Sequence, residues 1–225
     1  MIFFDIDDTL LDFKGAEYLG VVAFHAKYGE PFNLEIGEFY EQWCKISSKH
    51  FKLFLQGHLS FEQQKAERVK DIFKLANISL KENEASKIFE FYLESFEENW
   101  RPFDDVIPCL EKLCAKRLGV LSNGDSQQQR MKLEKLGIDG YFELVITARD
   151  IGVAKPDPDF FRIACDTAKT SPNDCIFIGD DLEVDILACQ KINMRGIWLN
   201  RKDKPQIQNT VESITKLSEL NNILG

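Results

Sequence analysis

The chain has 225 residues, 37 acidic and 28 basic, giving a formal charge of −9 with 44% hydrophobic residues. This length suits one large α/β domain or a core carrying a smaller one, since domains run from about 50 to 250 residues, and the composition is globular rather than disordered. The negative charge argues against a nucleic acid polymer or an anionic membrane as partner, because both need a basic face; a small anion held by a metal or a few local cations stays open.

The chain begins Met1-Ile2-Phe3-Phe4-Asp5, with no basic stretch ahead of an apolar segment, so no signal peptide is expected. No uncharged apolar run approaches the ~18 residues of a membrane span. A cytoplasmic protein is expected, and its six cysteines, with no C-x-x-C among them, are expected to be reduced thiols. Met1 to Ile6 reads as a buried strand. It runs into Asp5-Ile6-Asp7-Asp8-Thr9-Leu10, three carboxylates within four residues directly behind a hydrophobic segment.

Residues 14 to 98 lack strand alternation but show helical spacing, as in Phe39, Trp43 and Ile46, then Phe51, Phe54 and Leu55. Ser60 with Gln63 and Ser79 with Glu82 read as capping boxes. About four helices are therefore expected, forming an inserted all-helical domain, with residues 1–13 and 99–225 making the main domain. The histidines His25, His50 and His58 all fall in the insertion without metal-ligand spacing, and packing or surface roles are expected for them.

Further strand-length apolar runs follow at Leu118 to Ser122, Phe142 to Thr147, Cys175 to Gly179 and Arg195 to Leu199. They alternate with helical patterns, which predicts an α/β fold, a Rossmann-like parallel sheet with helices on both faces. Asp157-Pro158 reads as a helix start and Asn193 as a helix stop. In such sheets ligands bind beyond the carboxyl ends of the strands. Polar residues gather there: Asp5 and Asp7, then Ser122-Asn123-Gly124-Asp125, then Lys155, then Gly179-Asp180-Asp181 with Asp185. A helix beginning near Ser126 would place backbone N–H groups around Asn123 and Gly124 toward an anion, with Asp125 as its cap.

The four segments FFDIDDT, VLSNGD, GVAKPDPDF and FIGDDLEVD, in this order and each at a strand end, resemble the haloacid dehalogenase-like hydrolase superfamily. The insertion resembles the helical cap of that family. The resemblance implies a phosphatase using Mg²⁺ held by carboxylate oxygens of Asp5 and Asp180 and the main-chain carbonyl of Asp7. Asp181 is implied as an outer or water-mediated partner and Thr9 as a supporting residue. Asp5 is then the nucleophile, and the Asp7 side chain the acid and base. Ser122 and Lys155 would bind phosphate oxygens, with Asp185 holding the Lys155 ammonium.

Dehalogenases of the superfamily lack the second aspartate and need no metal, so Asp7 with the Asp180-Asp181 pair favours phosphoryl transfer. A phosphosugar mutase, a metal-independent dehalogenase and a non-enzymatic binding module are the alternatives. Gly57-x-x-Ser60 followed by Arg68 resembles the branch of nucleotide 5′-monophosphatases and acylneuraminate phosphate phosphatases, which implies Arg68 as a substrate contact. The expected partner is a small phosphomonoester, a nucleotide or sugar phosphate; monomer and homodimer both stay open.

Overall fold

The structure, a computed structural model, describes residues 1–205 and 211–224. The chain divides into two compact units, Phe13–Trp100 on one side and Met1–Asp12 with Arg101–Gly225 on the other. No helix among the described residues is long and apolar enough to cross a membrane. All six cysteines are free thiols, four of them buried.

The Phe13–Trp100 unit consists of α1 (Phe13–Tyr28), α2 (Ile36–Leu55), α3 (Phe61–Lys74) and α4 (Glu82–Glu98), with a single 3-10 turn at Glu30–Phe32. Its interior is largely aromatic. The Phe24 ring lies 5.0 Å from Trp43 and 6.0 Å from Phe39, and Trp43 meets Tyr92 at 4.4 Å between centroids. The buried stripe of α2 is Phe39, Trp43, Ser47, His50 and Phe54, a three-and-four spacing. Ile46, Phe51 and Leu55, read as part of that stripe, are only half-buried. His50 Nε2 lies 2.8 Å from the Asp71 carboxylate and His25 Nε2 2.9 Å from the Leu34 carbonyl, while His58 is exposed.

The Ser60 box is formed: its hydroxyl accepts from Gln63 N at 3.0 Å and Ser60 N donates to Gln63 Oε1 at 2.8 Å. The expected box at Ser79 and Glu82 is not the one that forms. Helix α4 starts two residues later, where Lys81 N donates to Glu84 Oε2 at 2.9 Å. Glu82 and Glu84 both stand in its first turn, and the acid that reaches back fixes the start.

The other unit carries β1 (Ile2–Phe4), β2 (Leu118–Ser122), β3 (Leu144–Thr147), β4 (Ile176–Gly179), β5 (Arg195–Leu199) and β6 (Glu212–Ile214). They form one six-stranded sheet in the order β3-β2-β1-β4-β5-β6, with every pairing parallel. Its helices are α5 (Val106–Lys112), α6 (Ser126–Lys135), α7 (Ala148–Ile151), α8 (Pro158–Thr167), α9 (Leu187–Gln190) and α10 (Leu220–Leu224). Phe3, Phe4, Val120, Leu121, Phe177 and Ile178 are all fully buried. Consecutive strand residues point to opposite faces, so both faces are covered, as the continuous apolar runs require.

Asp157 caps α8 by accepting from Asp159 N, with Pro158 in the first turn, and Asn193 adopts the left-handed conformation at φ 63°. Strands β1 and β3 are shorter than their apolar runs. The edge strand β6 was not expected, since Glu212-Ser213-Ile214 offers one apolar residue. The sheet order reverses at β1, where Phe4 is level with Val120 on one side and Ile178 on the other. A crevice at the carboxyl end of β1 follows from that reversal.

The aromatic interior predicts that Trp43→Ala, at a site 1% exposed, lowers unfolding free energy by about 3–5 kcal/mol. Urea denaturation followed by far-UV circular dichroism measures it. Phe51→Ala, on the half-buried side of the same helix, should cost distinctly less; equal costs would contradict the packing described.

Candidate active site

The loop after β1 is wound around one carbonyl. Ile6 O accepts from Thr9 N, Leu10 N and Leu11 N at 3.2, 2.8 and 2.9 Å, and Asp8 takes φ 60° to permit it. Asp5, whose N–H still pairs with Ile178 O at 2.9 Å, stays in line with the strand and is buried. Asp7 leaves the loop in a different direction. Thr9 is fully buried, and its carbonyl accepts from Arg201 Nη2 at 2.9 Å.

Lys155 is the cation of the buried cluster. Its ammonium lies 2.7 Å from Asp5 Oδ1, 2.7 Å from Asp185 Oδ1 and 3.3 Å from Leu121 O. Its side chain is 3% exposed, so the ammonium has exchanged water for these partners. Burial works against its charge, but Asp185 and Asp5 outweigh burial and raise its pKa. Burial pushes the Asp5 carboxyl well above the usual carboxylate range; Lys155 opposes the rise, while Asp185, Asp180 and Asp7 add to it.

Asp5, Asp180 and Asp185 each bring a carboxylate oxygen within 4.8 Å of the others. Two of the three, Asp5 and Asp185, pair with the Lys155 ammonium. Hard carboxylate oxygens gathered this closely suit a hard dication such as Mg²⁺. Asp185, expected to serve Lys155, does so and also belongs to this cluster. The Asp7 carboxylate does not join it.

The turn that carries Asp185 is built for closeness. Asp181 caps the π-turn Leu182–Ile186 through Oδ1, which accepts from Glu183 N and Val184 N at 3.0 and 2.9 Å. Asp181 N donates to Asp185 Oδ2 at 3.2 Å. A Cβ at position 179 would overlap the Asp185 carboxyl, which is why glycine ends β4. Trp198 Nε1 donates to Asp180 O at 2.9 Å and fixes the main chain there.

Ser122, 2% exposed at the end of β2, accepts from Gln129 Nε2 at 2.5 Å. A hydroxyl that accepts retains its hydrogen for donation elsewhere. The Asn123 side chain clasps the Lys155 main chain, donating to its carbonyl and accepting from its N–H, both at 2.8 Å. Asp125 caps α6 as expected, accepting from Gln127 N and Gln128 N at 3.1 and 3.2 Å. The Asp7 carboxylate is held by Lys132 Nζ at 2.6 Å and Gln129 Nε2 at 3.2 Å.

Sequence reasoning missed Gln129 and Lys132. The signal available was their spacing of three, with Leu133, on a ten-residue helix otherwise made almost wholly of polar residues. Arg68, the substrate contact implied for the insertion, lies on α3 in the helical unit, its guanidinium 5.9 Å from the Phe89 ring centroid. Its Nε is buried and has no hydrogen-bond partner among the described residues. Burial lowers its pKa, with Tyr92 and Glu17 working the other way.

The pyrimidine 5′-nucleotidase YjjG of Escherichia coli K12 is 25% identical over 226 residues, covering 97% of this chain and 96% of its own. Human N-acylneuraminate-9-phosphatase is 28% identical over 233 residues, covering 97% and 92%. The solved HAD-hydrolase YfnB from Bacillus subtilis, bound to magnesium, is similar in fold with a TM-score of 0.80 at 24% identity, covering 100% of this chain and 97% of that one. The profile of haloacid dehalogenase-like hydrolases matches residues 1–193. That match takes in β1 to β4, the helical insertion and every strand-end segment that carries the cluster, and the chain belongs to the haloacid dehalogenase-like hydrolase family.

Proposed function

We propose that this hydrolase is a Mg²⁺-dependent phosphomonoester hydrolase working through an aspartyl-phosphate on Asp5. The observation that carries the reading is the Asp5 cluster, three convergent carboxylates with one buried ammonium, set at the reversal point of a parallel sheet. Phosphatases and a nucleotidase among similar proteins that cover nearly the whole chain support it.

Asp5, Asp180 and the main-chain carbonyl of Asp7 would hold the metal, with Asp185 close enough to contribute. When bound, Mg²⁺ supplies the charge that lets an anionic carboxylate approach an anionic phosphate. The Asp5 carboxylate attacks phosphorus and the leaving oxygen departs with the bonding pair. Asp7 donates a proton to that oxygen and takes one from the water that attacks the phosphoenzyme. Lys155 and the Ser122 hydroxyl stabilise the non-bridging oxygens, with the backbone N–H groups near Asn123 and Gly124 completing the anion site.

Asp181 supports the metal side through its turn, and Thr9 supports the Asp7 loop. The substrate is a small phosphorylated metabolite, a nucleotide or sugar phosphate, and Arg68 contacts the part of it beyond the phosphate. Phe13–Trp100 acts as the cap. The Asp7 side chain and the Asp180-Asp181 pair favour phosphoryl transfer over dehalogenation.

Turnover of p-nitrophenyl phosphate should require Mg²⁺ and vanish in excess EDTA, and Asp5→Asn should abolish both turnover and covalent phosphate while staying folded. Activity in a preparation verified as metal-free would overturn the metal assignment. Lys155→Met strands buried carboxylates, so in EDTA it should lower unfolding free energy by about 3–5 kcal/mol, with part recovered on adding Mg²⁺. An unchanged urea midpoint would contradict the charge argument.

Arg68→Ala should lower kcat/KM on a nucleoside monophosphate or a sugar phosphate by about 10-fold or more while p-nitrophenyl phosphate changes little. An equal fall on all three substrates would show that Arg68 acts on phosphate or on folding instead.

A further inference from the structure

We infer that Lys132 and Gln129, on α6, are positioning residues that hold the Asp7 carboxylate for proton exchange with the leaving group, an inference that rests on the acid and base reading of Asp7. A helix packed on a sheet ordinarily buries an apolar stripe. Helix α6 buries Gln129, Lys132 and Leu133. Gln129 is 0% and Lys132 1% exposed, and lysine is almost never that buried unless it is paired.

Three local features bring these two side chains to Asp7. The Asp125 cap sets where α6 begins. The spacing of three puts Gln129 and Lys132 on one face. Position 124 is glycine, and a Cβ there would overlap the Gln129 side chain; close approach rather than a left-handed backbone demands the glycine.

The hydrogen bonds orient the amide. Gln129 Nε2 has two hydrogens, and its two acceptors are Ser122 Oγ at 2.5 Å and Asp7 Oδ2 at 3.2 Å. The flipped amide would turn a carbonyl oxygen toward a carboxylate, which is repulsive. Gln129 therefore links the proposed proton carrier to the proposed phosphate-binding hydroxyl.

The two oxygens of Asp7 are held unequally. Lys132 grips Oδ1 at 2.6 Å, whereas among the described residues Oδ2 has only the longer bond from Gln129. Oδ2 is accordingly the oxygen that exchanges protons. In the first step the Oδ2–H bond breaks and the proton passes to the leaving oxygen as that oxygen takes the electron pair of its bond to phosphorus. In the second, water gives a proton to Oδ2 as its oxygen bonds to phosphorus, and the Asp5–phosphorus pair returns to Asp5. No bond to Lys132 or Gln129 forms or breaks.

The test compares an alkyl phosphate, whose alkoxide needs protonation, with p-nitrophenyl phosphate, whose leaving group needs little. Lys132→Met should lower kcat on the alkyl ester by about 100-fold and on p-nitrophenyl phosphate by less than about 10-fold, with KM little changed. Lys132→Arg should recover part of the loss, and Lys132→Met should add little to Asp7→Asn in the double variant. Gln129→Leu should show the same preference together with a raised KM, since Ser122 loses its partner.

Thermal melts report whether each variant folds; if Lys132→Met does not, Lys132→Arg and Gln129→Leu carry the same comparison. Equal losses on both esters, or a loss confined to KM, overturn the inference. Asp7→Asn measured alongside separates the failures. If it discriminates between the esters and the α6 variants do not, only the positioning roles fall; if it does not discriminate, the acid and base reading falls and takes them with it.

Discussion

One buried ammonium is shared between two carboxylates, and the site is arranged around that sharing. Lys155 reaches Asp5 at the end of β1 and Asp185 in the turn after β4, both at 2.7 Å, so a single side chain ties together two neighbouring strands from a loop beyond a third. Desolvating an ammonium is expensive, and only close, well-oriented partners offset it. The surrounding choices follow from that demand. Asn123 clasps the Lys155 main chain, Gly179 leaves room for the Asp185 carboxyl, and Asp181 caps the turn that delivers it.

A second lysine makes the two aspartates of the first loop different. Asp5 and Asp7 are two residues apart, yet Asp5 is buried against Lys155 while Asp7, 34% exposed in its side chain, pairs with Lys132. The winding of the loop about the Ile6 carbonyl produces that divergence. Identical side chains thereby acquire separate surroundings, one excluded from water and crowded by like charge, the other half open and held by donors. Divergent environments of this kind give two identical carboxyl groups different proton affinities and so suit them to separate tasks.

The helical unit is stabilised on different terms. Its interior is largely aromatic, with the buried His50 paired to Asp71, but Ser47 Oγ, Gln64 Oε1 and Arg68 Nε are buried there without partners among the described residues. Each such atom costs about 1–3 kcal/mol of desolvation. The ring contacts from Phe24 through Trp43 to Tyr92 have to offset that cost, so these few polar atoms are tolerated because of the aromatic packing around them.

How much of this was readable depended on whether local pattern or tertiary contact decided the outcome. The strand-end carboxylates were readable because a continuous apolar run leaves few places for charge except its end, and Asp5, Asp180 and Asp185 do converge. The Ser60 box was readable because it is a contact over three residues. The start of α4 was not, since Glu82 and Glu84 offer competing closures and only one can set the first turn. The edge strand β6 has one apolar residue and exists because β5 provides a ladder for it. Helix α6 is the instructive failure. Hydrophobic periodicity assumes that the buried face is the apolar one, and here the contacts across more than 120 residues of chain, from Lys132 and Gln129 back to Asp7, decide which face is buried. Burial of a polar face is driven by its partner rather than by its own composition, so it leaves no hydropathic trace in the helix that carries it.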